Sequence, residues 1–528
     1  MPPAAEGSKG GPLAGPAAAR TLSRAELFGT VFVTGAAVMS IEILGTRIIG
    51  PAFGVNLFVW SALLAVTLGS LALGYYVGGV GVDRRPVARA LGAVVLGSGL
   101  ALGVVPLITV PVLRFAESLG PRAGSLSAAT LLFALPLVGL GMVSPVAVRL
   151  GTRDLRDAGH SVGSIYAVST AGGLVGTLST AFLIVPAFDT NEIVVGVALL
   201  LTAVGAASLA WHGRPVALVA VAFPPLFALP VDHPLPAGLS VLDRAQSLYG
   251  LVEVIDDRAR HVKMLRADHS IIGAEFVADR SSAFSFTHVL ESVRFLRPEA
   301  TTMLQIGLGI GSLPMALGAR GVQSDVVEID PIVVRFARRY FAFETGGDVY
   351  EEDARAYLQR TERRYDVVVH DTFTGGTTPE HLLSLQVFAR IRQVLRPGGV
   401  LALNFVGHQA GPRAEASRAV LRTVRAVFAN VRAFRDGPLD EEPDAAGNIL
   451  VFASDGGLDF TIPAGARFEN EACERTQRAF VGWEVLASVP PGPAITDERN
   501  PLTRLELPAA EEHFDAMNAL LPVEVWLR

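Results

Sequence analysis

Three acids and a glycine turn hold the chemistry that can be read from this chain. Residues 301–330, TTMLQIGLGIGSLPMALGARGVQSDVVEID, pass from an apolar run into Gly307-Leu-Gly309-Ile-Gly311, then into helix formers, then into a second apolar run ending in Glu328-Ile-Asp330. That is the order of strand, glycine turn, helix and strand in a nucleotide-binding βαβ unit. Glycines suit the turn because a Cβ would block the close approach of ligand to backbone, and an acid about 20 residues further on suits a ribose diol. Gly311 and Glu328 are 17 positions apart. The spacing is GxGxG and not the GxGxxG of dinucleotide sites, which points to an adenosyl ligand without a pyrophosphate.

The elements that must position these groups follow the same pattern. Further strands are predicted at 347–352, running up to Asp353, at 365–371, ending in Asp371, and at 399–405, with helices between them. In open α/β sheets ligands bind beyond the carboxyl ends of the strands, so Glu328, Asp353 and Asp371 belong to one site. A small β domain, begun by the partly alternating run 241–256, leads into this sheet.

The first half of the chain is of another kind. Of its 528 residues, 50% are hydrophobic and only 18% charged, and the mean hydropathy is +0.43, too apolar for an ordinary soluble enzyme. Apolar stretches at 27–50, 55–80, 88–110, 128–149, 164–187 and 192–211 are long enough to cross a bilayer core of about 30 Å. A seventh, at 215–231, is shorter and interrupted by Pro224-Pro225. Arg84, Arg85 and Arg89, then Arg149, Arg153 and Arg156, then Arg214 mark alternate loops, which puts the amino terminus in the cytoplasm. Six crossings keep the nucleotide unit there too, so the seventh segment is expected not to cross. This makes the chain a multi-pass protein of the cell membrane with a cytoplasmic soluble domain and the lipid bilayer as a partner. Inside the first span, Glu42 and Arg47 are five apart and cannot pair directly, so each is expected to meet a group on another helix or to snorkel. Gly172 and Gly176 have the spacing that lets membrane helices touch.

Composition also excludes some functions. The net charge is −6, Lys occurs only at 9 and 263, and no basic block suggests nucleic acid. The single Cys473 excludes intrachain disulfides and a cysteine-rich metal site, and it reads as a small buried side chain. No metal is expected. The expected division is a disordered tail (1–24), a multi-span membrane domain (25–231), the small β domain (232–297), a Rossmann-like nucleotide-binding domain (298–460) and a C-terminal extension (461–528).

The order Gln246…Tyr249, GLGIG, VEIDP (327–331), Asp353-Ala354-Arg355, YDVVVHD (365–371) and LRPGG (395–399) resembles the spermidine synthases, the polyamine aminopropyltransferases, in particular forms fused behind a multi-span membrane domain. Residues 495–501, ITDERNP, look like a terminal motif of those fused forms. The resemblance implies a membrane helical bundle of about seven hydrophobic segments, then the small β domain and a Rossmann-like fold of the S-adenosylmethionine methyltransferase type. It implies that Gly307, Gly309, Gly311, Glu328, Asp330, Asp353 and Ala354 bind the nucleotide, with Glu328 on the ribose hydroxyls and Asp353 on the adenine amino group. Asp371 would act on an attacking amine, and Gln246, Tyr249, His288 and Thr374 would line the substrate side. Decarboxylated or intact S-adenosylmethionine would be a co-substrate and no cofactor would be tightly bound; a homodimer is compatible with this pattern. Elementary chemistry agrees about Asp371. A primary amine has a pKa near 10 and must lose a proton to attack a sulfonium carbon, which a carboxylate can accept.

The sequence departs from the family at the substrate end. Where the family usually has an acid inside the glycine turn this chain has Ile310, and where a second acid follows the catalytic one by three it has Thr374. The usual Tyr-His-Glu appears as Phe286-Thr287-His288. Glu380 could replace one acid, though a helix start explains it better. Aminopropyl transfer to a polyamine is the expected reaction. Methyl or aminocarboxypropyl transfer from intact S-adenosylmethionine, and a nucleotide-sensing membrane module or transporter without catalysis, remain open.

Overall fold

The computed structural model describes residues 23–54, 57–84, 89–152, 158–223, 235–373, 376–438, 445–521 and 525. The tail expected over 1–24 lies almost wholly outside them, as do Thr374 and Pro224-Pro225. Among the described residues, six helices are long and apolar enough to cross a membrane: α1 (Arg24–Phe53), α2 (Leu57–Arg84), α3 (Arg89–Glu117), α4 (Gly120–Gly151), α5 (Ala158–Ser179, continued by a π-helical turn to Ile184) and α6 (Thr190–Trp211). The seventh segment, expected not to cross, forms a short 3-10 helix over Pro215–Ala222, far below the roughly 20 residues a span needs, and its part from 224 to 231 lies outside the described residues. Bilayer contact leaves helix association to close packing of small residues. Gly172 and Gly176 do this, since a Cβ on either would fall 2.1 Å from the Phe32 carbonyl oxygen and 2.5 Å from that of Ala36, on α1.

Among the described residues, the hydrogen bonds of Arg47 reach outside the membrane helices. Its guanidinium donates to the carbonyls of Ser247 and Leu248, at 2.6 and 2.7 Å, and so ties α1 to a turn of the second half.

That half holds two sheets. Strands β1 (Leu239–Gln246), β2 (Leu251–Asp257), β3 (Val262–Ala267) and β4 (Ser270–Phe276) form an antiparallel meander. The second sheet has β5 (Thr302–Ile306), β6 (Gln323–Glu328), β7 (Val349–Glu351), β8 (Tyr365–His370), β9 (Leu395–Gly407), β10 (Asn430–Arg435) and β11 (Gly447–Ser454) in the order β10-β11-β9-β8-β5-β6-β7. β5 to β9 are parallel, and β10 and β11 add an antiparallel edge. β8 is buried at every position because helices cover both faces of a parallel sheet. The chain leaves β5 for β6 on one side and later returns to β8 on the other. This reversal opens a crevice at the carboxyl ends of β5 and β8.

The helix Leu507–Leu520 joins the two halves. Phe514 is buried with the membrane-helix core and stacks on Phe53 of α1, with ring centroids 5.5 Å apart, and on His269 of the small sheet, at 4.8 Å. Glu511 pairs with Arg122 of α4 at 2.7 Å.

Candidate active site

A cavity of about 460 Å³ opens where the crevice meets the small sheet. Its wall includes the glycine turn, Glu328, Asp353 and Asp371, so the three strand-end acids do share one space. Gly307, Gly309 and Gly311 all have positive φ, at 84, 58 and 82°. A Cβ at each would meet protein: the Asp371 carbonyl at 2.0 Å, the Ile272 carbonyl at 2.6 Å and the Phe343 ring at 2.3 Å. The glycines therefore let the segment after β8, β4 and the Phe343 segment close around the turn.

Glu328 caps the turn. Its two oxygens accept from the backbone N–H of Leu308, at 2.9 Å, and of Asp330, at 3.0 Å. Burial raises its pKa and these N–H groups oppose the rise. Each carboxylate oxygen keeps a second acceptor direction, enough for a vicinal diol. Asp330 is 5% exposed and is used differently: it caps the helix Pro331–Tyr340 through Ile332 N–H, at 2.9 Å, and takes a hydrogen bond from the Ser247 side chain. It also stands in the cavity wall. Asp353 caps the helix Ala354–Arg360, accepting from Ala356 N–H at 2.9 Å. Its other oxygen lies 3.6 Å from His381 Nε2.

Asp371 follows β8, its N–H bound to the Ile306 carbonyl at 2.9 Å. Asn404 Nδ2 donates to its Oδ1 at 3.0 Å, while burial pushes its pKa up to about 6. A carboxylate so placed is ionised at neutral pH yet basic enough to take a proton.

The other expected residues separate. Tyr249 stands in the cavity wall, half exposed. Gln246 ends β1 opposite Leu251 and is absent from that wall, because the turn after β1 swings only Tyr249 and Gly250 inward. His288 is also outside the wall: it is buried beside Glu291 and Cys473, their ligand-type atoms within 4.8 Å of one another. This trio suits a packed core better than a cation, because Arg320 sits on Glu291 at 3.0 Å and burial pushes the Cys473 thiol up to about 12. Glu380 starts a short 3-10 helix and its carboxylate accepts from Thr503 N–H at 3.1 Å. It takes no part in the wall. Ile310 is buried in the wall against Gly273 of β4. The stretch 495–501 is tied to the elements on either side of it: Asp497 pairs with Arg355, and Asn500 donates to the Glu380 carbonyl at 2.8 Å.

Sequence reasoning missed Gln305, Asn404, Asn448 and His513. Gln305, Asn448 and His513 line the cavity, and Asn404 stands behind Asp371. A side-chain amide inside an otherwise apolar strand was the available signal for Gln305 and Asn404.

Residues 259–435 match the family model described as the Spermine/spermidine synthase domain. An N-terminal histidine N-methyltransferase of Emericella nidulans is 28% identical over 55% of this chain and 58% of its own length. A polyamine aminopropyltransferase of Vibrio vulnificus is 35% identical over 24% of this chain and 44% of its own length. Polyamine aminopropyltransferase 2 of Pseudomonas aeruginosa is 30% identical over 34% and 54%. The chain thus spans between about two fifths and three fifths of these relatives. Among solved structures, a probable spermidine synthase from Corynebacterium glutamicum is similar over 45% of this chain and 86% of its own, at 18% identity and a TM-score of 0.37. Among the described residues, six long apolar helices are followed by a Rossmann-like fold that is similar, over residues 259–435, to the spermine/spermidine synthase domain.

Proposed function

We propose that the soluble half transfers a carbon group from an adenosyl-sulfonium nucleotide to an amine. The observation that carries this is the pairing of two differently held acids at neighbouring strand ends. Glu328 is fixed by backbone N–H groups beside the glycine turn, and Asp371 is a half-buried carboxylate of raised pKa across the crevice. The amine nitrogen attacks the carbon bound to sulfur; the C–S bond breaks, its electron pair stays on sulfur, and a neutral thioether leaves. As the new C–N bond forms, the nitrogen passes a proton to Asp371. The thioether needs no acid, so most of the acceleration comes from alignment for in-line displacement.

Intact S-adenosylmethionine is the donor that Ile310 favours, since an acid in the turn would repel the nucleotide's own carboxylate and Ile310 removes that repulsion. The N-methyltransferase similarity supports the same donor. The family model and the aminopropyltransferase relatives support a second reading, aminopropyl transfer from the decarboxylated nucleotide to a polyamine. Six crossings would leave both ends of the membrane domain on one face, and cytosolic adenosyl nucleotides would make that face the cytoplasm.

Calorimetric titration of the detergent-solubilised chain with both nucleotides tests the donor, followed by mass spectrometry of the products from an amine mixture. Intact S-adenosylmethionine binding at least as tightly as the decarboxylated form is expected. A preference beyond about tenfold, or 1.4 kcal/mol, for the decarboxylated form would restore aminopropyl transfer.

A further inference from the structure

We infer that the side-chain amide of Gln305 holds the ammonium of the donor, and that its neutrality sets which sulfonium nucleotides the site admits. This rests on the reading that the cavity takes a sulfonium nucleotide, and it assigns the group that reads the arm. Gln305 is 2% exposed and stands in the cavity wall on β5. Its Nε2 donates to the Gly307 carbonyl at 2.9 Å. A carbonyl oxygen only accepts, so this bond fixes which end of the amide is nitrogen. Oε1 is left buried with no hydrogen-bond partner among the described residues. A buried acceptor without a donor is costly, and a ligand that brings one recovers the loss.

The sheet order says which ligand atom would arrive there. β5 lies between β6, which ends in Glu328, and β8, which leads to Asp371. A nucleotide with its ribose on Glu328 and its reacting carbon before Asp371 must carry its sulfonium arm across the end of β5, over Gln305 and the turn that follows. The arm's ammonium offers N–H donors, and the residue of the turn nearest in sequence to supply an acid is the apolar Ile310. Asp268, another acid of the wall, already accepts from Leu251 N–H at 2.9 Å. A neutral amide oxygen accepts from the ammonium without repelling the adjacent carboxylate of the intact nucleotide, as an acid there would.

The test is calorimetry on the full-length protein in detergent with S-adenosylmethionine, its decarboxylated form and 5′-methylthioadenosine, which lacks the ammonium. For Gln305→Met, S-adenosylmethionine should bind at least tenfold more weakly while 5′-methylthioadenosine stays within about twofold, which also reports an intact fold. Gln305→Glu should move the ratio of affinities at least tenfold toward the decarboxylated form. Equal losses for all three nucleotides in Gln305→Met, or a ratio unmoved in Gln305→Glu, overturn the inference while the wild-type protein still binds its donor. A wild-type protein that binds none of the three overturns the donor reading along with it.

Discussion

Replacing Asp371 by Asn separates the two jobs assigned to the strand-end acids. The side chain keeps its shape and, through its amide oxygen, can still accept from Asn404 Nδ2, now 3.0 Å from Oδ1. What it loses is the ability to take a proton, and general-base catalysis is worth about 10²- to 10⁴-fold. Donor affinity should stay within about threefold, roughly 0.7 kcal/mol, because Glu328 and Asp353 are untouched. The pH profile gives a sharper measure. With an amine of pKa near 10 as nucleophile, log kcat/KM rises with slope one from the amine alone. Asp371, raised from 3.8 to about 6, adds a second unit of slope below about pH 6, and Asp371→Asn should remove that break. Stability moves the other way. Between about pH 4 and 6 the folded state keeps a proton that the unfolded chain has lost, so the contribution of Asp371 to stability falls as pH rises through that window. Two units correspond to about 3 kcal/mol at most, so the Asn variant should be the more stable one at pH 8, by up to that amount, and no more stable near pH 4. Detergent-phase thermal unfolding at the two pH values and steady-state assays from pH 5 to 8 read both effects. A wild-type slope of one throughout, or a fall in donor affinity as large as the fall in turnover, would refute the division of labour.

Glu328→Ala should weaken donor binding by roughly tenfold or more, since the ribose loses a charge-assisted bond and the N–H groups of Leu308 and Asp330 lose their acceptor; affinity within twofold of wild type would remove Glu328 from the site. Arg47→Met frees the Ser247–Gly250 turn from α1, so both the unfolding temperature and donor affinity should drop, because Tyr249 and Gly250 belong to the cavity wall; unchanged values of both would mean that the tie to the membrane helix carries nothing. For orientation, Cys473 is buried, with its thiol pushed up to about 12, so a cysteine introduced at the exposed Glu471 would be the one reactive thiol. Glu471→Cys should react with an impermeant maleimide only after the cells are opened, and labelling of intact cells would place the soluble half outside.

The sequence by itself determined what local pattern controls. Apolar runs of span length became α1 to α6 because length and hydropathy are properties of contiguous residues. The glycine turn and the strands ending near Glu328, Asp353 and Asp371 followed from short-range periodicity and turn chemistry, and the rule that ligands sit beyond strand ends brought the three acids together. The run that begins at Pro215 could be set apart from the spans because it is short and broken by proline, though its 3-10 form over Pro215–Ala222 was not legible in it. Tertiary structure decided what each polar group is used for. Asp330 and Asp353 have the same side chain at similar strand ends and both cap a helix, yet one also meets Ser247 and the other turns an oxygen toward His381. His288 turned into a core cluster and Gln246 fell outside the wall, because a single residue's side of a helix or strand is set by what packs over it. Arg47 found its partner 200 residues away, and the helix carrying His513 came from the far end of the chain to close the cavity. Contacts at such separations depend on how the two halves dock, and docking buries surfaces such as Phe514 against Phe53 and His269 that no local pattern pairs.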